Sequence, residues 1–251
     1  DFYKSGFPAR YGGRLSSVVD VRTKDGDMEH LHGSYRIGMI DAGVHLEGPI
    51  VKGKTSYNIG LRRSYSDLVM ALIPWTDNED EDVSLGYYFM DLNAKVSHYF
   101  SPRSKLSFSL YYGNDSYHGK SSFEGAYNIY YNYDGTVTED GWQEDYSRYK
   151  LNWGNLNAAL DWNCQLSPRL LANFTALYTH NRSKLYGYDE QKNREEKGNE
   201  TNETFASTEH SYDNTIDDMG YRAAFDFRPT PRHKIRFGND YTCHIFRPQT
   251  M

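Results

Sequence analysis

The sequence has no run of about 18 consecutive apolar residues, the minimum for a helix that crosses a membrane. Together with a mean hydropathy of -0.81, this absence excludes a helical membrane protein. It does not exclude a membrane β-barrel, because only every second residue of a membrane-spanning strand faces lipid.

Acidic residues outnumber basic ones, 34 to 28, and recognisable catalytic motifs are lacking. The net charge of -6 argues against a nucleic acid as a partner. The sequence contains no Gly-x-Ser-x-Gly elbow and no phosphate-binding loop, and no spacing singles out a Ser/His/Asp set. We therefore expect no enzymatic activity and no cofactor.

Cysteine is limited to Cys164 and Cys243. In the strands predicted below they lie three strands apart, which corresponds to roughly 14 Å at about 4.8 Å per strand. A disulfide needs Cα atoms within about 7 Å of each other. We therefore expect two free cysteines that act as small apolar side chains.

Aromatic residues are abundant, with 23 Tyr, 12 Phe and 4 Trp, and many of them fall in alternating segments. In residues 105–114, the apolar side chains of Leu106, Phe108 and Leu110 alternate with polar ones. This period of two is typical of a β-strand and not of a helix. The same alternation recurs in residues 155–164, 219–228 and 235–246.

The connections between these segments alternate in length. Tight, basic turns containing Pro, Gly or Ser are predicted at 48–54, 101–104, 166–169 and 229–232. Long polar loops are predicted at 75–85, 121–147 and 190–211. Short turns at one end of an antiparallel meander and long loops at the other are typical of an outer-membrane β-barrel.

The alternation assigns each strand residue to a lipid-facing or a lumen-facing side. The lipid-facing predictions are Leu106, Phe108, Leu110, Leu156, Leu160, Phe225 and Phe237. The lumen-facing predictions are Arg62, Asp161, Arg222, Asp226 and Arg236. Charges on the polar side cannot fill a sandwich core, but a wide polar lumen accepts them.

Aromatic residues in the predicted loop 121–147 could stack on a flat solute such as a sugar. The tyrosines between residues 127 and 133 lie too far from any predicted strand to belong to an aromatic girdle at the membrane interface. These extracellular ligand-binding candidates are Tyr127, Tyr130, Tyr131, Tyr133 and Trp142.

No metal site is predicted. One acidic run offers oxygen ligands for calcium but lacks the spacing of an EF-hand, so a solvated loop is the preferred interpretation. The run consists of Asp77, Glu79, Asp80, Glu81 and Asp82, together with Asn78. His30 and His32 form a His-x-His pair without an evident third ligand, and a polar linker is preferred there as well.

Residues 6–27 differ from the strand segments. Tyr11-Gly12-Gly13 is a turn signal, and residues 18–23 read as a short strand. Here the sequence resembles the TonB-dependent receptor family, which ends its plug domain with Tyr-Gly-Gly, small residues and Val-Val-x-Val-x-Thr-Lys. The match covers residues 8–26, and residues 46–50 look like the family's first periplasmic turn.

Two details specify the type of receptor. Residues 62–65, Arg-Arg-Ser-Tyr, look like members that carry a carboxypeptidase-regulatory-like amino-terminal domain. Residues 13–18 depart from the Gly-Ser-Arg-Ala-Ala-Asn-Gly typical of the large glycan importers. The resemblance therefore implies a receptor outside the typical glycan-importer subtype.

The resemblance implies two domains, the end of a plug in residues 1–27 and the first part of a transmembrane β-barrel in residues 28–251. The plug must return to the periplasmic rim, and that requirement predicts about nine strands in this chain, whereas the family resemblance implies a whole barrel of about 22. An odd count leaves the barrel open, so we expect a fragment. The predicted strands are 33–38, 41–50, 55–70, 86–101, 105–120, 148–165, 170–185, 213–228 and 233–247.

The function that the resemblance implies is TonB-dependent active uptake of a scarce solute across the bacterial outer membrane. The solute could be a siderophore, a cofactor, an oligosaccharide or a peptide. The implied partners are outer-membrane lipid, the TonB complex through a part absent from this sequence, the solute and a surface lipoprotein. The alternatives are a passive pore or adhesin-like barrel, and a soluble all-β glycan-binding module.

Overall fold

A computed structural model of the chain describes residues 2–4, 11, 17–19, 22–75, 79–131, 133–135, 137–197 and 200–250. The fold is all-β, as predicted. Two short strands, β1 (Phe2–Tyr3) and β2 (Val18–Val19), form an antiparallel pair of their own. The nine remaining strands are β3 (His32–Ile37), β4 (Asp41–Val51), β5 (Thr55–Ser64), β6 (Glu81–Ser101), β7 (Ser104–Tyr131), β8 (Val137–Ser167), β9 (Leu170–Lys197), β10 (Glu200–Thr230) and β11 (His233–Thr250).

These nine strands form one antiparallel sheet in which every strand pairs with its neighbours in sequence. The meander and the number of strands agree with the prediction. The sheet is open, with β3 at one edge and β11 at the other.

The four tight turns lie where the sequence predicts them, and all four lie at the same end of the sheet. They join β4 to β5, β6 to β7, β8 to β9 and β10 to β11. In the first turn, Gly53 has a φ of 69°, which a residue with a side chain rarely adopts. Lys54 closes that turn by donating its backbone N–H to the Val51 carbonyl over 3.0 Å. We call this end of the sheet the turn end.

The long loops predicted at 121–147 and 190–211 are wrong. The strand β7 continues to Tyr131 and β8 begins at Val137, while β9 continues to Lys197 and β10 begins at Glu200. The prediction failed because these segments have no apolar face. Backbone ladders between neighbouring strands need no such face, and the Tyr and Thr residues there favour extended structure.

The strand predicted at 55–70 is also too long. The strand β5 ends at Ser64, and a short helix, α1 (Ser66–Met70), follows. Tyr65 leaves the strand path by donating its N–H to the Ile40 carbonyl over 2.9 Å, and its own carbonyl accepts the N–H of Leu68. No helix in the described residues is long and apolar enough to cross a membrane.

Only part of the predicted end of the plug lies within the described residues. Val18 and Val19 are in a strand, as expected, and they pair with Tyr3 and Phe2. Residues 22 and 23 have no strand structure. The turn residues Gly12 and Gly13 of the proposed plug motif lie outside the described part of the chain.

Candidate functional site

The register of the sheet separates two faces with different chemistry. Cross-strand partners share a face, so one row can be followed over all the strands. The row Arg62, Asp91, Gly113, Asn155 and Asn181 lies on what we call the polar face. The row Val96, Phe108, Leu160, Ala176 and Tyr221 lies on the opposite, apolar face.

All five residues predicted to face a lumen share the polar face, and four of them have polar partners there. Arg62 binds the Asp91 carboxylate, with its Nη2 2.6 Å from Oδ2. Thr175 donates its hydroxyl to Asp161 over 2.6 Å. Arg236 binds Asp226, with its Nε 2.7 Å from Oδ1. Arg222 stands opposite Asp240 in the register.

The seven residues predicted to face lipid share the apolar face. Many large apolar side chains on this face are exposed, with Phe108 at 45%, Leu160 at 44% and Phe237 at 55%. Others with at least 38% exposure on this face include Tyr35, Ile37, Val44, Leu46, Ile59, Leu61, Val96, Tyr112, Trp162, Met219, Tyr221, Ile235 and Tyr241. Soluble monomers rarely expose contiguous apolar surface of this extent.

The apolar residues of this face form a band of limited height above the turn end. In β10 it runs from Phe227 to Met219 on alternate residues, and in β8 from Cys164 to Leu156. That height of about nine residues agrees with the 9–11 residues of a membrane-spanning strand. We call this surface the apolar band.

A polar row closes the apolar band on the side away from the turns. It contains three arginines, and its members are Arg63, Met90, Asn114, Gly154, Arg182, Thr215 and Arg247. Beyond this row the same face becomes polar, with Ser116, His118 and Lys120 following in β7. We call the residues of β7 to β10 from this row onwards the arms: 114–131, 137–154, 182–197 and 200–215.

Residues 23–28, which we call the docked segment, lie across the polar face near the turn end. Asp25 is its main contact. The side chains of Lys95 and Lys105 bind its two carboxylate oxygens, the first at 2.8 Å. Ser97 donates its hydroxyl to the same carboxylate over 2.8 Å. The segment before the sheet is thus attached to β6 and β7.

Electrostatics favour an ionised Asp25. Burial raises the pKa of this carboxyl group, but hydrogen bonds from Lys105, Lys95 and Ser97 outweigh burial and lower the pKa to about 2. The group is therefore a carboxylate at neutral pH.

The docked segment approaches the backbone of the sheet closely at Gly26. A Cβ atom at this buried position would lie 1.9 Å from the carbonyl oxygen of Tyr57 in β5. The polar face also carries small side chains in this region, since Ser56, Ser97 and Ser107 form one buried cross-strand row. Small residues on both partners therefore permit the close packing.

Further contacts fix both ends of the docked segment. The carbonyl of Thr23 accepts a hydrogen bond of 2.9 Å from Lys95 Nζ. Lys24 Nζ lies 2.9 Å from the carboxylate of Glu47, which is buried on β4. The carbonyl of Met28 accepts the N–H of Gly53 over 3.0 Å, in the first tight turn.

The sequence analysis did not identify this contact. The signal that was available is Lys24-Asp25-Gly26, a charged pair beside a glycine, combined with serines at the polar positions of three consecutive strands. No periodicity links two such segments when they are about 70 residues apart in the chain, as Asp25 and Ser97 are.

The aromatic ligand candidates are distributed differently from the prediction. Trp142 is in β8 and Tyr133 in the connection between β7 and β8, and both side chains are exposed. Tyr127, Tyr130 and Tyr131 belong to β7, which contradicts the expectation that they lie far from any strand. Their side chains lie outside the described part. The described residues therefore assemble no ligand pocket from this group.

The acidic run does not form a compact loop. Glu81 and Asp82 are the first residues of β6, and successive strand side chains point to opposite faces. Glu79 and Asp80 precede the strand in a turn, and Asp77 lies outside the described residues. The two cysteines are free, as predicted, with Cys164 buried and Cys243 exposed.

Comparison of the chain with protein-family models, with curated proteins and with solved structures finds no match.

Proposed function

We propose that the chain forms part of the wall of a TonB-dependent receptor in the bacterial outer membrane, together with the end of its plug. The proposal rests on one observation, which is that two features occur together on opposite faces of one sheet. An apolar band of membrane height covers one face, and the segment that precedes the sheet docks on the other.

The apolar band supports a membrane location. Each exposed large side chain gains about 1.5–3 kcal/mol when it is removed from water, so leaving the whole band in water is costly. Near the turn end the band is rich in aromatic rings, as in the girdles of outer-membrane barrels. Trp162, Phe174, Phe225 and Phe237 contact one another there, with centroid distances between 5.1 and 5.8 Å.

The contacts of the docked segment favour a barrel that is filled by a plug over a passive pore. In a pore the polar face lines an open channel, whereas in the large transporters a plug fills the lumen. Here the Lys24–Glu47 ion pair, the close approach of Gly26 to Tyr57 and the ionised Asp25 carboxylate attach the segment to the four neighbouring strands β4 to β7. Residues 23–26 of the docked segment form the end of the sequence match to the receptor family.

The open edges support a wall that continues beyond the strands described. Unpaired backbone groups at a strand edge cannot remain exposed to lipid, so a spanning sheet has to close. We propose that β3 and β11 pair with further strands of the same barrel, to a total of about 22.

The proposed activity is capture of a scarce solute outside the cell and its uptake by energy that TonB transmits to the plug. The arms reach beyond the apolar band by about 16–18 residues per strand, roughly twice the height of the band. They carry the exposed Trp142, and the exposed Tyr133 lies in the connection between β7 and β8. A siderophore, a cofactor, an oligosaccharide or a peptide remains the proposed class of solute, with a surface lipoprotein as an additional partner.

TonB dependence can be tested without knowing the solute. Cells with the intact gene, cells without the gene and cells without TonB are grown in the same medium, and solute depletion is followed by untargeted mass spectrometry. We expect at least one solute to remain in the medium of both deletion strains. A solute that requires the gene but not TonB would contradict the receptor proposal and indicate a passive pore.

The membrane location has its own test. We expect the full-length protein to fractionate with the outer membrane and to migrate differently on a gel before and after heating, as folded barrels do. Recovery as a monodisperse protein without detergent would contradict a barrel and support the soluble glycan-binding alternative.

A further inference from the structure

The segment that joins the docked segment to the edge strand contains three side chains with metal-ligand chemistry. Asp27, His30 and His32 each offer one ligand atom, and the three atoms lie within 4.8 Å of one another. No other such group of three or more His, Cys, Asp or Glu residues occurs among the described residues. The sequence pattern offered only His30 and His32 as ligands. Folding brings Asp27 beside them as the third.

The distances suit a small tetrahedral ion. Zinc lies about 2.0–2.1 Å from a histidine nitrogen and about 2.0–2.2 Å from a carboxylate oxygen, so two tetrahedral ligands stand roughly 3.3 Å apart. His32 Nε2 and Asp27 Oδ2 are already 3.0 Å apart. The His30 ring is exposed, and its centroid lies 6.3 Å from that of His32, so a side-chain rotation completes the set.

The backbone that carries the three ligands is held in place. The Asp27 carboxylate accepts the N–H groups of Glu29 and His30, over 2.7 and 2.9 Å, which fixes the turn between the ligands. The Met28 carbonyl is bonded to Gly53, and His32 is paired with Glu47 as the first residue of β3. A preformed backbone reduces the ordering that metal binding requires.

We propose that Asp27, His30 and His32 form a binding site for a divalent transition metal, with zinc as the best match. Two imidazoles and one carboxylate favour zinc over calcium or magnesium, which prefer oxygen ligands alone. Three protein ligands leave a fourth position for water. The bound metal links the end of the docked segment to the edge strand. The site stands on this geometry alone and does not depend on the proposed transport function.

The test is calorimetric titration of the full-length, metal-free protein in detergent with zinc chloride. We expect a saturable binding event that weakens by at least about tenfold in each of His30→Ala, His32→Ala and Asp27→Asn. Asp27→Asn is informative because an amide oxygen still accepts the two turn N–H groups but lacks the charge. Heat-modifiable migration of each variant reports whether it still folds.

His244→Ala is the matched control. His244 is exposed and lies 2.7 Å from Asp218, so it also forms a histidine–carboxylate pair, yet it belongs to no group of three in the described chain. We expect its zinc affinity to equal that of the wild type. Zinc binding that is unchanged in His30→Ala or His32→Ala, or unchanged in Asp27→Asn, would overturn the proposal.

Hydrogen exchange provides a second readout. We expect zinc to slow amide exchange in residues 27–32 of the wild type and to leave exchange in the His30→Ala variant unchanged. Equal slowing in both proteins would also overturn the proposal.

Discussion

The part of the sheet near the turn end and the arms use the same strands in different ways. Near the turn end, each strand has an apolar side and a polar side. The apolar sides form the continuous apolar band, and the polar sides of β4 to β7 contact the docked segment. In the arms both sides are polar, as Lys120 and Ser121 illustrate on the two sides of β7. The difference shows that backbone pairing extends these strands well beyond the residues in which apolar and polar side chains alternate.

Ionic and aromatic contacts in the arms are mostly between neighbouring strands on the surface. Arg182 binds Asp213, and Tyr149 donates its hydroxyl to Asp189 over 2.6 Å. Exposed pairs of this kind contribute about 0–1 kcal/mol each. The account therefore predicts large effects of substitution in the apolar band and small effects in the arms.

The largest effect is expected for Leu160→Arg in the middle of the apolar band. A charge at mid-membrane on the lipid face costs about 2–4 kcal/mol. Asn152→Arg is the control, because Asn152 lies on the same face of β8 within the arms, where the cost falls to about 0–1 kcal/mol. Urea unfolding in lipid vesicles measures both. Equal destabilisation by the two substitutions would remove the distinction between band and arms.

Gly26→Ala tests the opposite face near the turn end. A methyl group here meets the Tyr57 carbonyl oxygen at 1.9 Å, and such overpacking costs about 1–3 kcal/mol. We expect faster hydrogen exchange in the docked segment. Gly60→Ala is the matched substitution on β5, because its Cβ would meet only His45 at 3.9 Å. Protection that survives Gly26→Ala would show that the segment is not held as described.

A smaller effect, of about 1–2 kcal/mol, is expected for Asp25→Asn, because Lys95 and Lys105 are left partly buried without their carboxylate. The comparison is Asp226→Asn, which also separates a carboxylate from two basic residues, Lys234 and Arg236. Arg236 is 61% exposed, so a change below about 1 kcal/mol is expected there. The same loss in both variants, measured by urea unfolding, would contradict a structural role for the docked segment.

The smallest effect is expected for Tyr149→Phe in the arms. This change removes the hydroxyl that binds Asp189 while keeping the ring on an exposed strand. Surface changes of this kind are usually within about 0.5 kcal/mol. A loss as large as that of Gly26→Ala would indicate that the arms are as tightly specified as the apolar band.

The sequence predicted the region near the turn end well and the arms poorly, for a physical reason. Alternation of Leu106, Phe108 and Leu110 with serines defines both a strand and its register, because one face must avoid water. The segment 190–211 has no such alternation, so its strand structure depends on pairing with a neighbour. Pairing between segments is not visible in a single local pattern.

The contacts of the docked segment and the three-residue metal group escaped prediction for a related reason. The first joins Asp25 to residues about 70 to 80 positions away. The second depends on a turn that directs Asp27 towards His32. Both are consequences of how the chain folds back, whereas the division of the strand residues between the polar and the apolar face follows from strand period alone.

In the proposed barrel, one face of the sheet contacts lipid and the other does not. Leu160 and Asp161 are consecutive in β8 and point to opposite faces. A photo-crosslinking amino acid at each position of the full-length protein, activated in living cells, tests this directly. The account predicts lipid adducts at position 160 and only protein crosslinks at 161. Equal lipid labelling at both positions, or none at 160, would contradict it.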